Sequence, residues 1–261
     1  MWNRTELKDR AKIAFKRNYW RCVLISFILL LFTGGTVNSA RSTDRTDDIV
    51  SDYVDDDYFD NDFDIDTDMG ITEHITSVFR GGNVASWMVG SIAAIILSGI
   101  MIAILLLSIF VFQPLEVGGC RFFIENAYEM PGAEKIFFAF KSGHYGKVVL
   151  TLFLRGLYIF LWTLLLVIPG VIKSYEYRMI PYLLADCPEM SREDAFRISK
   201  EMMQGQKMEA FILDLSFIGW HLLSAVTCGI LEIFYVAPYV NATNAELFLT
   251  LREQYFHRQN P

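Results

Sequence analysis

Residues 81–115, GGNVASWMVGSIAAIILSGIMIAILLLSIFVFQPL, carry no charged side chain. A bilayer crossing takes roughly 20 apolar residues at about 1.5 Å of rise each. A soluble helix of this length would need a polar face, and this run has none. It is therefore expected to span a membrane. The whole chain agrees, being 53% hydrophobic with a mean hydropathy of +0.31, values of a multi-pass membrane protein rather than a soluble domain.

The net charge of −7 conceals a local asymmetry. Residues 38–82 hold thirteen acids against Arg41, Arg45 and Arg80, a local charge of −10, so the rest of the chain is positive. Four cysteines (Cys22, Cys120, Cys187, Cys228) are scattered, without a CxxC pair or a neighbouring histidine cluster. They read as small apolar residues rather than a disulfide framework or zinc site.

The first 21 residues carry seven Lys/Arg and two acids. Asn3 is placed to cap a helix with Glu6 as its reciprocal partner, and Leu7, Ala11, Ala14 and Phe15 fall on one face. Residues 1–18 thus read as a cytoplasmic basic amphipathic helix lying on an anionic leaflet; an ordinary solvated basic leader is the plainer alternative. Tyr19 and Trp20 stand where an aromatic belt belongs. A first crossing over residues 19–36 comes next, with a cleaved signal ending near Val37-Asn38-Ser39 as the competing reading.

Residues 37–84 then form an extracellular acidic loop, expected to be disordered. Asp64, Asp66 and Asp68 alternate as in a calcium loop, but the glycine comes one place late, at Gly70, and Ile75 stands where the terminal Glu belongs. Only weak cation binding by these carboxylates is left, and no other metal or cofactor site is indicated.

The remainder, 85–261, reads as a membrane bundle with helices near 85–113, 148–168, 171–187, 211–226 and 230–249. Pro114 is expected to end the first of these. The stretch after it interleaves Arg121, Lys135, Lys141 and Lys147 with Phe122, Phe123, Phe137, Phe138 and Phe140, and reads as an interfacial helix and connector. Its balanced charge argues against nucleic-acid binding. Pro169-Gly170 punctuates the next helix, and counting positive charges favours a crossing over the short charged segment 171–187. Ser191 and Gly205 bracket a cytoplasmic amphipathic helix, and Pro238 is placed to kink the last helix. The expected fold is all-α: a polytopic membrane bundle of about six transmembrane helices plus interfacial helices, with both termini cytoplasmic.

Several blocks, taken together, resemble a known family: WNRTELKDRAK…NYW (Trp2–Trp20), FQPLEVGGCRFF (Phe112–Phe123), LLLVIPGVIKSYEYRMIPYLLAD (Leu164–Asp186), AFRISKEMMQGQK (Ala195–Lys207) and FILDLSFIGWHLLS (Phe211–Ser224). The chain is similar to the bacterial integral-membrane family called domain of unknown function 975. A weaker likeness reaches the membrane domain of some glycerophosphodiester phosphodiesterases, an accessory to a catalytic part that this chain lacks. The resemblance implies a bacterial cell membrane and no assigned activity, and it carries over no catalytic residue.

Ionisable groups inside a membrane cost roughly 2.5–3.5 kcal/mol each at the centre of a helix and mark function by default. The candidates are Arg155, Lys173, Glu176, Arg178, Asp214, His221 and Glu232. Depth suggests pairing Arg155 with Asp214 and Lys173 with Glu232. Lys173 and Glu176 are also close enough for a local pair. Arg178 has no evident partner, and His221 sits where it could titrate near neutral pH. Such groups either lock helices together or line an ion path. No GxSxG, HExxH or Gly-rich phosphate loop occurs, and His74, His144, His221 and His257 are far apart. The expectation is a non-enzymatic accessory or organiser acting on a membrane-protein partner in the bilayer. A small transporter is the alternative, although no inverted repeat is visible in the sequence.

Overall fold

The computed structural model describes residues 2–33 and 82–259. The acidic loop, with Asp64, Asp66 and Asp68, lies outside the described residues. All regular structure among the described residues is helical. The chain forms two compact units, Met1–Thr36 with Leu106–Pro261, and Val37–Leu105. Helix α3 (Gly82–Leu107), most of which belongs to the second unit, carries no charged residue, and its large side chains from Ile92 onward are exposed. That exposure is unfavourable in water and ordinary in lipid.

In the first unit, α1 (Arg4–Arg17) starts at Asn3, whose side chain accepts from the Thr5 N–H at 3.0 Å. Leu7, Ala11, Ala14 and Phe15 are all buried. Their face meets α12 (Ala237–Gln259) and α4 (Gln113–Tyr128), so the apolar side of α1 contacts protein rather than a leaflet. After Asn18, α2 (Tyr19–Thr33) buries Cys22, Val23, Ile25 and Ser26 and exposes Leu24 and Leu31.

Pro114 does not end its helix. A five-residue π-helical turn, Ser108–Phe112, runs straight into α4, where the proline sits in the first turn. A proline there lacks only an N–H, and the wider turn before it relieves the ring's clash with the preceding carbonyl. Nor is α4 interfacial: Val117, Phe122, Phe123 and Asn126 are buried at its heart. Helix α4 leads through a 3₁₀ turn (Ala133–Phe137) and the short α5 (Phe138–Lys141) to α6 (Tyr145–Leu165).

Helix α7 (Val167–Glu176) turns back at Leu166 and packs along α6. The residues of this turn, Leu164 to Ile168, are each at least 64% exposed and wholly apolar. Segment 171–187 is not one crossing helix. It is broken at Tyr177–Met179, leaving α7 at 10 residues and α8 (Ile180–Asp186) at 7. At about 1.5 Å per residue neither reaches across a core of about 30 Å.

Helix α9 (Arg192–Met202) is capped by Ser191 and followed by Gly205 at φ 75°. A break at Ser216-Phe217 then divides α10 (Lys207–Leu215) from α11 (Ile218–Val226). A second π turn, Glu232–Val236, opens α12. Three helical runs among the described residues are long and apolar enough to cross a membrane: Gly90–Tyr128, Tyr145–Leu165 and Lys207–Val226. Residues 90–115 of the uncharged run belong to the first of them.

Candidate functional site

The two helix breaks place their charges together. Arg178 lies in the break between α7 and α8, and Asp214 lies one residue from the end of α10. The Arg178 guanidinium donates to both Asp214 oxygens, at 2.7 and 2.8 Å, and to Asn244 Oδ1 at 2.8 Å. The Tyr175 hydroxyl donates to Asp214 Oδ2 at 2.8 Å, and the Tyr175 ring lies under the guanidinium at 5.5 Å. A bidentate charged pair with two neutral partners is strongly directional.

Two residues before Arg178, Glu176 is 2% exposed. Its carboxylate meets Lys173 at 3.0 Å, Lys207 at 3.2 Å and Lys200 at 3.8 Å. The Ser199 hydroxyl donates to the Glu176 backbone carbonyl at 2.8 Å. Three ammonium groups around one carboxylate leave the cluster with an excess of positive charge. Lys173 also lies over the Trp162 and Tyr177 rings, an arrangement in which the aromatic faces stabilise the cation.

The pairing differs from the depth-based expectation. Arg155 pairs with Glu116 at 3.5 Å, not with Asp214. Glu232 meets His221 at 3.1 Å, not Lys173. The reason is helix phase: the breaks at Tyr177–Met179 and Ser216-Phe217 rotate the helices after them, and the continuation of helix through Pro114 brings Glu116 beside α6. Glu116, Tyr175, Lys207 and Asn244 were missed by the sequence reading. Asn244 and Arg178 are 66 positions apart, and no local spacing links them.

Two surface cavities are lined by other residues of the same unit. One, of about 350 Å³, is lined by Arg4, Lys8, Asp9, Lys12 and Ser216, among others. Lys8 donates to Ser216 Oγ at 2.6 Å and stands 4.3 Å over the Phe217 ring. Burial, with Lys12 and Arg4 nearby, pushes its ammonium below the usual lysine range. The other, of about 310 Å³, is bounded by Arg121, Glu125, Lys135, Asp186 and Arg252. No grouping of His, Cys, Asp and Glu among the described residues is arranged to hold a metal ion.

No curated protein and no solved structure matches the chain. Residues 163–255, which hold every member of the paired clusters except Glu116, Trp162 and Arg155, match the model of the family described as "Protein of unknown function (DUF975)".

Proposed function

We propose that the chain is a non-enzymatic, multi-pass membrane protein that organises or supports a membrane-protein partner. The observation that carries this reading is the pairing of all seven candidate groups. Arg155 and Glu116 tie α6 to α4, Arg178 and Asp214 tie the first break to α10, Glu176 and Lys207 tie α7 to α10, and His221 and Glu232 tie α11 to the second π turn. Groups partnered in this way serve as helix locks in a medium where an unpaired charge is costly. Three apolar helices support more than one crossing. The basic first 21 residues favour a cytoplasmic N-terminus, and the family resemblance favours a bacterial cell membrane.

A second reading, transport of an ion or small solute, is favoured by one feature: Arg178 and Asp214 both sit at helix breaks, where transporters build their sites. Reconstitution of the full chain in liposomes separates the two. The organiser reading expects no ion or proton flux above protein-free vesicles, and a stoichiometric partner cross-linked in native membranes. Flux that is lost in both R178Q and D214N overturns it in favour of transport.

A further inference from the structure

The two prolines that come after π turns share a device. Proline offers no N–H to the carbonyl four residues before it. For Pro114 that carbonyl belongs to Phe110, and it accepts from the Tyr145 hydroxyl. For Pro238 it belongs to Phe234, and it accepts from the Tyr19 hydroxyl at 3.1 Å. Each π turn begins six residues before its proline, and each tyrosine is the first residue of its helix.

The surrounding sequence repeats as well. Ile109-Phe110 stands before Pro114 as Ile233-Phe234 stands before Pro238. Ala14-Phe15-Lys16 precedes Tyr19, which is followed by Arg21, Val23, Leu24 and Phe27. Ala139-Phe140-Lys141 precedes Tyr145, which is followed by Lys147, Val149, Leu150 and Phe153. The spacings after the two tyrosines are identical.

The contacts cross between these halves. Helix α1 packs on α12, and its counterpart, the 3₁₀ turn with α5, packs on α4. Pairs of contacts give the direction of each helix. Helix α2 runs against α4, since Asn18 bonds Asn126 while Leu29 lies against Gly119. It runs along α12, since Tyr19 meets Phe234 and Ser26 meets Asn241. Helix α6 runs along α4, since Tyr145 meets Phe110 and Arg155 meets Glu116. The counterparts α2 and α6 therefore point in opposite senses.

We infer that this unit is an inverted repeat whose halves, Arg4–Thr33 with Ser108–Tyr128 and Ala133–Leu165 with Glu232–Gln259, latch each other's proline-bearing helix through Tyr19 and Tyr145. In an apolar medium a carbonyl freed by proline must find a donor. Here the donor comes from the opposite half, so the two π-proline turns are paired hinges, each held by its counterpart. The inference rests on side-chain contacts and the repeated sequence. It corrects the expectation that the chain holds no inverted repeat and removes that argument against transport, while the organiser reading still rests on the charge pairing.

The test is hydrogen exchange on the full chain in detergent, in a double-mutant cycle. Y19F is expected to speed exchange across residues 232–238 about fivefold, the size of one net hydrogen bond, and to leave residues 108–114 unchanged. Y145F does the reverse. P238A restores an N–H for the Phe234 carbonyl, so the double variant Y19F/P238A shows no added exchange over P238A, and it stays folded even if Y19F alone does not. P114A does the same for Y145F. An effect of Y19F that persists undiminished in P238A, or that falls on residues 108–114, overturns the crossed latch.

Discussion

Arg178 and Asp214 form a two-pronged pair across the points where two helices break, with bonds of 2.7 and 2.8 Å. Neither residue is on an uninterrupted helix face, and each is held by a neutral neighbour, Asn244 or Tyr175. The pair thus sets how the end of α7 and α10 meet, a relation that their apolar surfaces alone leave adjustable.

Truncating one member is expected to cost far more than replacing both. D214A leaves a largely buried guanidinium unpaired, at about 3 kcal/mol, whereas R178M/D214L is expected to lie within about 1 kcal/mol of the parent. Thermal melts in detergent check this. The reversal R155D/D214R should show no coupling, because Arg155 answers to Glu116; recovery in that double variant would contradict the pairing.

Two adjacent glycines are expected to respond differently to alanine. A Cβ on Gly118 would overlap the Ile136 carbonyl oxygen, which is backbone. On Gly119 it would meet the end of the Leu29 side chain at 2.6 Å, which can turn away. G118A should therefore sharply reduce folded yield, and G119A should cost only about 1–3 kcal/mol of overpacking. Monodispersity and melting temperature after purification report the order.

Glu176 is the hub of its cluster, and Lys200 is its weakest partner. E176A leaves three ammonium groups facing one another and is expected to cost about 3 kcal/mol. K200Q, the most distant and exposed partner, should change stability by under about 0.5 kcal/mol. Melting curves that rank the two variants equally would remove the hub assignment.

Asp194 titrates low because Arg197 and the Ser191 hydroxyl hold its charged form. A depressed folded pKa contributes stability that is present above the unfolded value, about 3.9, and is lost as pH falls through the folded one. R197Q should shift the acid end of the stability profile upward in pH, measurable by melts between about pH 3 and pH 6.

The capping residues Asn3 and Ser191 and the glycine after α9 were legible in the sequence because each acts within a few residues of itself. Pro114 misled because its effect depends on the turn before it. A π turn and a hydroxyl from a distant helix let the chain pass through a residue that ordinarily stops it. The apolar face of α1 misled for a related reason. Leu7, Ala11, Ala14 and Phe15 look the same whether lipid or protein covers them.

Hydropathy is a sum over neighbours in the chain, so the apolar run after Arg80, the acidity of residues 38–82 and the all-helical class could be read directly from the sequence. Which charge meets which could not. At 3.6 residues per turn, a break of two or three residues turns every later side chain to a new face. The positions of Arg178, Asp214, Glu116 and Glu232 therefore depended on breaks and π turns that only the tertiary contacts stabilise. The opposed directions of α2 and α6 were decided the same way, since a repeated sequence does not say whether its copies run together or against each other.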